Sequence, residues 1–546
     1  MSDPFLLNII MYLAFGMSGC GQRSLLRPTP GCAREPPAFL ALALPSLSAR
    51  VYSHSWLNFM QTSPTSGSWK CDHGTYRRTK SPPVPFDTTR RVQPGVGAYM
   101  FACHALTVHS RIRGAGLTAL KPTSSVRRWA GRRLLSTSAG KRLGLTGVSI
   151  VPKKLTMPLR RDGLEPVAAL GEKREADPVS KLSRMFGIDV WLVSGYHEVR
   201  AVLEDTTSYS TDIRALIGPG AAAPIGGLGF TDPPDHTRLR KFLTPEFTVR
   251  RLAGLAPRIE QIVNDRLDAM AATDVVDMVA DFAFPIPFLV ICELLGLPAE
   301  DRERFRLLGH ARFDITGGGA GTFGAMSESR QFLREAVRRQ RLNPGDGLIG
   351  SIIREHGDEI DDDELAGLVD GVFTGGYETS ASMLALGTLA LLRDPAAFEL
   401  IRTDPGAVDG IVEELLRYLS VVQISFPRFA RENLDLFGRS IKAGDVVVCS
   451  ISSANRDAAF GVTPDRFDPE RSGRSHVAFG HGFHRCIGSE LAKMELRLAF
   501  RTLARRYPDL SLAVEPGDLK FRDLSIVYGV ESLPVRLGVA ANLRMT

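Results

Sequence analysis

Apolar residues recur at helical spacing through much of the chain, and short alternating runs punctuate them. Residues 188–193 are β-branched and aromatic and end at Ser194-Gly195, which predicts a strand and a turn. The spacing of Val199, Val202 and Leu203 predicts a helix over 196–204. From 243 to 343 the pattern is almost wholly helical, through Ile259, Ile262, Val263 and Leu267, then 284–297 and 305–310, with Pro285 and Pro287 interrupting the second run. The strongest signal covers 361–393. Between Leu365 and Leu392 its only charged residues are Asp370 and Glu378, so this helix is apolar all round and belongs at the centre of the fold. Continuous, it reaches about 50 Å. A helix over 407–419 follows, with Ile411, Leu415 and Leu419 facing the core, and 435–452 alternates around turns at Gly438-Arg439 and Ala443-Gly444. A strand-like 475–479 and a helix through 491–503 complete a mainly α chain with small β sheets.

Composition divides this picture in two. Of the 546 residues, 1–156 hold 21 Lys/Arg against 4 Asp/Glu, an excess of +17, whereas the whole chain is +7. The remainder is therefore about −10. A basic pI describes the first quarter and gives no support for nucleic-acid binding by the rest. That quarter is rich in Ser, Pro, Arg and Gly, without sustained periodicity. Its apolar runs 6–15 and 39–44 are too short to span a bilayer. It is expected to be a basic, low-complexity extension, disordered or a gene-model artefact, with Met157 an alternative start. Seven scattered cysteines without Cys-x-x-Cys spacing argue against a disulfide framework or an iron–sulfur domain. Glycine-rich 214–230 and 317–324 predict pliable loops.

Four stretches carry chemistry. Phe479-Gly480-His481-Gly482-Phe483-His484-Arg485-Cys486-Ile487-Gly488 sets one thiol among glycines, whose lack of Cβ permits a loop wrapped against something flat. A thiolate there suits axial ligation of haem iron, although a lone cysteine is ordinarily an inert small hydrophobe. Gly375-Gly376-Tyr377-Glu378-Thr379-Ser380 interrupts the central helix; paired glycines suggest room for a bulky neighbour or a local widening. Thr379 either back-bonds to the carbonyl four residues earlier or serves a relay with Glu378. Asp232-Pro233-Pro234-Asp235-His236 opens a helical pattern that puts His236 and Arg240 on one face. Glu414 and Arg417 have the i,i+3 spacing of an ion pair.

Taken together, these stretches resemble the cytochromes P-450, in the soluble bacterial form. The resemblance implies a triangular, helix-rich domain over 157–546 with a long central helix. It implies Cys486 as the ligand of the iron in haem b, with His236, Arg240, Arg428, His476 and His484 at the haem propionates. Glu378 and Thr379 match the family's acid–alcohol pair, although Gly375 replaces a usual Ala and Tyr377 a common His. Glu414, Arg417 and Arg466 match a scaffold triad. The implied activity is a cytoplasmic monooxygenation of a small or medium apolar substrate by O2, without membrane association. Electrons would come from NAD(P)H through a ferredoxin and its reductase, and 214–230, 317–324 and 421–427 would border the substrate. A haem-containing ligand sensor or carrier is the alternative, and a haem-free helical protein explains the motif order less well.

Overall fold

In the computed structural model the described residues are 153–541, except 186, 213–227, 314–317 and 472. The basic extension and most of the predicted 214–230 loop lie outside them.

The central helix is Asp362–Arg393. Asp361 caps it, its carboxylate accepting from the Glu364 N–H at 2.8 Å, and three acids in the first turn oppose the positive end of the helix dipole. Its termination at Asp394 coincides with Pro395 opening the next helix, Pro395–Thr403. Around it pack Pro285–Leu295, Gly318–Leu342, Ala407–Leu419 and Ser489–Arg506. Leu365, Val369, Phe373, Leu384 and Leu391 are among its buried side chains, joined to Ile286, Leu415 and Phe500 in one core.

A five-stranded sheet forms a second centre, in the order Val179–Met185, Ile188–Val193, Val446–Cys449, Arg428–Ala430, Tyr209–Ser210. Only its middle pair, Ile188–Val193 with Val446–Cys449, is parallel. Strand alternation sends Trp191, Val193, Val447 and Cys449 to one apolar cluster and Val190, Leu192, Val446 and Val448 to another. Burial on both faces explains why Val446–Cys449 is apolar at every position, and why Ile188–Val193 is apolar at every position but Asp189.

Three expectations change. Residues 318–324 continue a helix, Gly318–Leu342, which packs on the central helix and on Ala299–Phe313; tertiary contact overrides glycine's poor propensity. Pro285 starts a helix rather than breaking one, because its missing N–H falls where helices have no acceptor for it. A three-residue strand, Val275–Asp277, pairs with Pro534–Arg536; it is too short to show alternation. The stretch Met278–Leu295 is long and apolar enough to cross a membrane, but 67% of it is buried inside the fold.

The fold also reaches back past Met157. Leu155 is 1% exposed and packs with Leu159 in the cluster beneath the sheet, and the Thr156 hydroxyl accepts from Arg160 Nε at 3.0 Å. Truncation to begin at Met157 is expected to cost about 2 kcal/mol, the value of burying one leucine, as read by urea denaturation against a chain beginning at residue 152.

Candidate functional site

The cysteine loop is shaped by its glycines. Gly482 has φ +67°, and a Cβ there would meet Glu204 Cα at 2.7 Å and Leu203 O at 2.8 Å. Glycine therefore lets the loop lie directly on the end of helix Tyr196–Glu204. The Cys486 N–H donates to Phe479 O at 2.9 Å, closing the loop, and Ser489–Arg506 carries the chain away. The Cys486 side chain is exposed.

Beside the loop lies a group of cationic and imidazole side chains. His236, on helix Asp235–Leu243, is completely buried, and neither ring nitrogen has a hydrogen-bond partner. Its ring lies 4.4 Å from that of His484 and 4.3 Å from that of Phe483. Arg240 Nη2 donates to Arg485 O at 2.8 Å, and buried Arg428 donates to Phe426 O at 3.0 Å. Burial, then Arg240, pushes His236 down to about 4; burial, then Arg428, pushes His484 down to about 3. Burial also lowers Arg240 and Arg428. Among the described residues no carboxylate is hydrogen-bonded to any of the four. Asp232 is the carboxylate that acts on His236, His484 and Arg428, without a hydrogen bond to them; a buried polar atom without a partner is costly, so the two orphaned imidazole nitrogens of His236 beside these guanidiniums call for an anion. A flat group bearing carboxylates, with a thiol-binding centre, fits these residues.

His476 lies outside that group. Its Nδ1 accepts from the Ala478 N–H at 3.2 Å and its Nε2 meets Glu413 at 3.1 Å, so both nitrogens are already occupied. Lys493 also pairs with Glu413 at 2.5 Å. Burial acts to raise Glu413, but the bonds from His476 and Lys493 outweigh it and hold the carboxyl at about 2. Residues 475–479, expected as a strand, form an irregular segment that ends in a turn, and His476 braces that segment against Ala407–Leu419.

On the central helix, a Cβ at Gly375 would find nothing within 4 Å, so the helix middle faces open space. The Thr379 hydroxyl donates to Gly375 O at 2.6 Å. This back-bond uses the hydroxyl proton and leaves its lone pairs free to accept. Glu378 meets Arg522 Nη1 at 2.5 Å, and Arg522 Nη2 donates to Ser382 Oγ at 2.5 Å. Burial raises the Glu378 pKa even though Arg522 opposes it. No local motif marks Arg522 in the sequence; the signal for it is Glu378 itself, because a carboxylate in an apolar stretch of helix requires a cation from elsewhere.

The scaffold pair is present, with a different third member. Arg417 donates to both Glu414 oxygens at 2.7 and 2.8 Å, and to the carbonyls of Asn455, Pro464 and Arg466. The second arginine on Glu414 is Arg471, at 3.1 Å; Arg466 offers only its carbonyl and its side chain is exposed. The turn after Asp468, whose N–H donates to Glu414 at 2.9 Å, brings Arg471 back over the carboxylate. Asn455 Oδ1 accepts from the Val477 N–H at 2.8 Å, connecting this knot to the cysteine loop.

Another acid sits in the helix that follows the loop. Glu495 is 3% exposed, its Oε1 has no partner, and burial pushes it up to about 8. A carboxyl raised on folding opposes the fold as pH climbs above its unfolded value of 4.5, in full above about 8. Even half of that shift is worth about 2 kcal/mol. Glu495→Gln is expected to be the more stable protein above about pH 8 and to equal the parent near pH 4, by denaturation across that window.

The family model for cytochrome P-450 matches residues 407–517, the span holding Glu414, Arg417 and Cys486. A protein named cytochrome P-450 165B3, from Amycolatopsis orientalis, is 40% identical over 389 residues, 69% of this chain and 97% of its own. The monooxygenase PikC of Streptomyces venezuelae is 38% identical, over 68% of this chain and 93% of its own. Among solved structures, OxyC, implicated in an oxidative C–C coupling during vancomycin biosynthesis, superposes with a TM-score of 0.64 at 38% identity, over 70% of this chain and 97% of its own. A hybrid OxyB gives 0.64 at 41%, over 70% and 99%. With the thiol loop, the anion-seeking cluster and the helical architecture in agreement, this chain belongs to the cytochromes P-450, the haem-dependent monooxygenases.

Proposed function

We propose that the chain inserts one atom of O2 into a small or medium-sized apolar organic substrate in the cytoplasm. The catalytic domain runs from about residue 153 onward, and catalysis does not require the basic extension. The overall change is RH + O2 + 2e⁻ + 2H⁺ → ROH + H2O, with both electrons delivered singly from NAD(P)H through a ferredoxin and its reductase. Haem b, when bound, supplies the oxygen activation. Cys486 holds it through sulfur, and His236, Arg240, Arg428 and His484 receive its carboxylates. His476 acts at one remove, by bracing the loop.

Thr379, its proton committed to Gly375 O, presents lone pairs that accept a hydrogen bond, and Glu378 sets a carboxyl group, its pKa raised by burial against the pull of Arg522, within the same helical turn. Both groups lie on the turn that borders the open space at Gly375, so the two set where protons enter. The observation that carries this reading is the buried, unpartnered His236 beside His484 and the cysteine loop.

The relatives suggest a substrate class. They include the 6-deoxyerythronolide B hydroxylase of Saccharopolyspora erythraea and the polyketide-biosynthesis protein PksS of Bacillus subtilis, at 37% and 35% identity. A polyketide-like secondary metabolite is the substrate class these two names point to. The test is a screen of purified haem-loaded protein for ligands that displace iron-bound water, followed by turnover with ferredoxin, reductase and NAD(P)H. A hydroxylated product is expected; tight ligand binding without any product in the complete system would make the chain a carrier or sensor instead.

A further inference from the structure

Glu378 is one of two carboxylates between Leu365 and Leu392, and its partner comes from a distant part of the chain. Arg522 lies on the C-terminal hairpin, where its N–H donates to Gly529 O at 2.8 Å and the rings of Phe521 and Tyr528 stack at 5.7 Å. Its guanidinium spans one turn of the central helix, with Nη1 on Glu378 and Nη2 on Ser382 four residues later. A Cβ at position 529 would lie 2.0 Å from Nη2, so the fork lies flat on the hairpin only because that residue is glycine. Phe284 covers it, the guanidinium carbon 5.9 Å from the ring centre. The same hairpin holds the 421–427 loop, through Tyr528 N–H to Val421 O at 2.7 Å and Gln423 N–H to Ile526 O at 2.9 Å.

We infer that Arg522 is the positioning residue for Glu378: it fixes the carboxyl group beside Thr379 and ties proton delivery to the hairpin that also carries the 421–427 loop. The inference rests on the proton-handling role proposed above for Glu378. The titratable groups acting on Glu378 are Arg522 and the neighbouring Tyr377 phenol. Ser382 and Phe284 complete the surroundings of the fork without charge. Burial raises the carboxyl and Arg522 restrains it. Without the cation, Glu378 climbs further and stays neutral over a wider pH range.

Two readouts test this, one of them without turnover. Infrared difference spectra against Glu378→Gln follow protonation of the carboxyl across pH in substrate-free protein. Arg522→Gln is expected to move the midpoint upward by about one unit or more, and Arg522→Lys by much less. During turnover, unproductive O2 + 2e⁻ + 2H⁺ → H2O2 competes with product. Peroxide per O2 consumed is expected to rise about threefold or more in Arg522→Gln near neutral pH, with the pH profile of product yield shifted the same way and Lys restoring both. An unmoved midpoint and profile in Arg522→Gln, while Glu378→Gln still raises peroxide, overturns the role of Arg522 alone. Glu378→Gln without effect on peroxide overturns the reading of Glu378 itself. Should Arg522→Gln not fold, Ser382→Ala removes only one anchor; it must shift the midpoint in the same direction, and an unmoved midpoint overturns the inference.

Discussion

Cys486→Ser is expected to abolish the red-shifted absorption band that reduced thiolate-haem gives with carbon monoxide, and to reduce product formation to background. The loss is electronic, because the fold barely depends on the sulfur. The Cys486 side chain is exposed, and the loop is closed by its N–H on Phe479 O, which serine retains. A serine hydroxyl is shorter and far harder to ionise than a thiol, so it neither reaches nor donates as a thiolate does. Unfolding of the haem-free variant is therefore expected within about 0.5 kcal/mol of the parent. Spectrum and stability together separate loss of the ligand from loss of the fold. A serine variant that kept the band and its oxygen-dependent product would remove Cys486 from the mechanism.

Elements with a strong local signal were legible in the sequence, and long-range side-chain partners were not. Ala407–Leu419 and Tyr196–Glu204 have the predicted bounds, because an apolar stripe and its polar flanks are written within a few turns. The central helix differs only in that Asp361 is its cap. The glycine-rich run after 317 misled because helix propensity is weak against packing on two neighbours. At the site, resemblance and geometry agree on the neighbourhood of His236 and His484, whose proximity no local pattern reports. His476 has its nitrogens occupied by Glu413 and Ala478, contacts made across 63 and 2 residues. Arg471 displaces Arg466 for a similar reason: both follow Glu414 by some fifty residues, and only the path of the turn decides which guanidinium arrives. Arg522 shows the same limit from the other side, since the lone Glu378 announces a partner without naming it.

Glu414→Ala is expected to destabilise the protein by about 3 to 5 kcal/mol, because it strands a charge that the fold has taken out of water. The side chains of Arg417 and Glu414 are 3% and 2% exposed, and the carboxylate also receives Arg471 and the Asp468 N–H. Its removal leaves the Arg417 guanidinium buried without its counter-charge, the Arg471 Nε–H without its acceptor and the Asp468 backbone donor unpaired. The Arg417 bonds to Asn455 and Pro464 carbonyls then lose the charge that orients them, and Asn455 is the residue that holds Val477 ahead of the cysteine loop. Haem affinity is therefore expected to fall along with stability, although neither Glu414 nor Arg417 belongs to the anion-seeking cluster. Two controls fix the cause. Arg471→Ala is expected to cost about 1.5 to 3 kcal/mol, the range for a charged hydrogen bond, whereas Arg466→Ala stays within about 0.5 kcal/mol because its exposed side chain touches nothing in the knot. Equal losses from Arg466 and Arg471 in urea denaturation would show that the knot is assembled otherwise. Replacing the pair together, Glu414→Leu with Arg417→Met, is expected to lose less than Glu414→Ala alone, since apolar side chains leave no stranded charge.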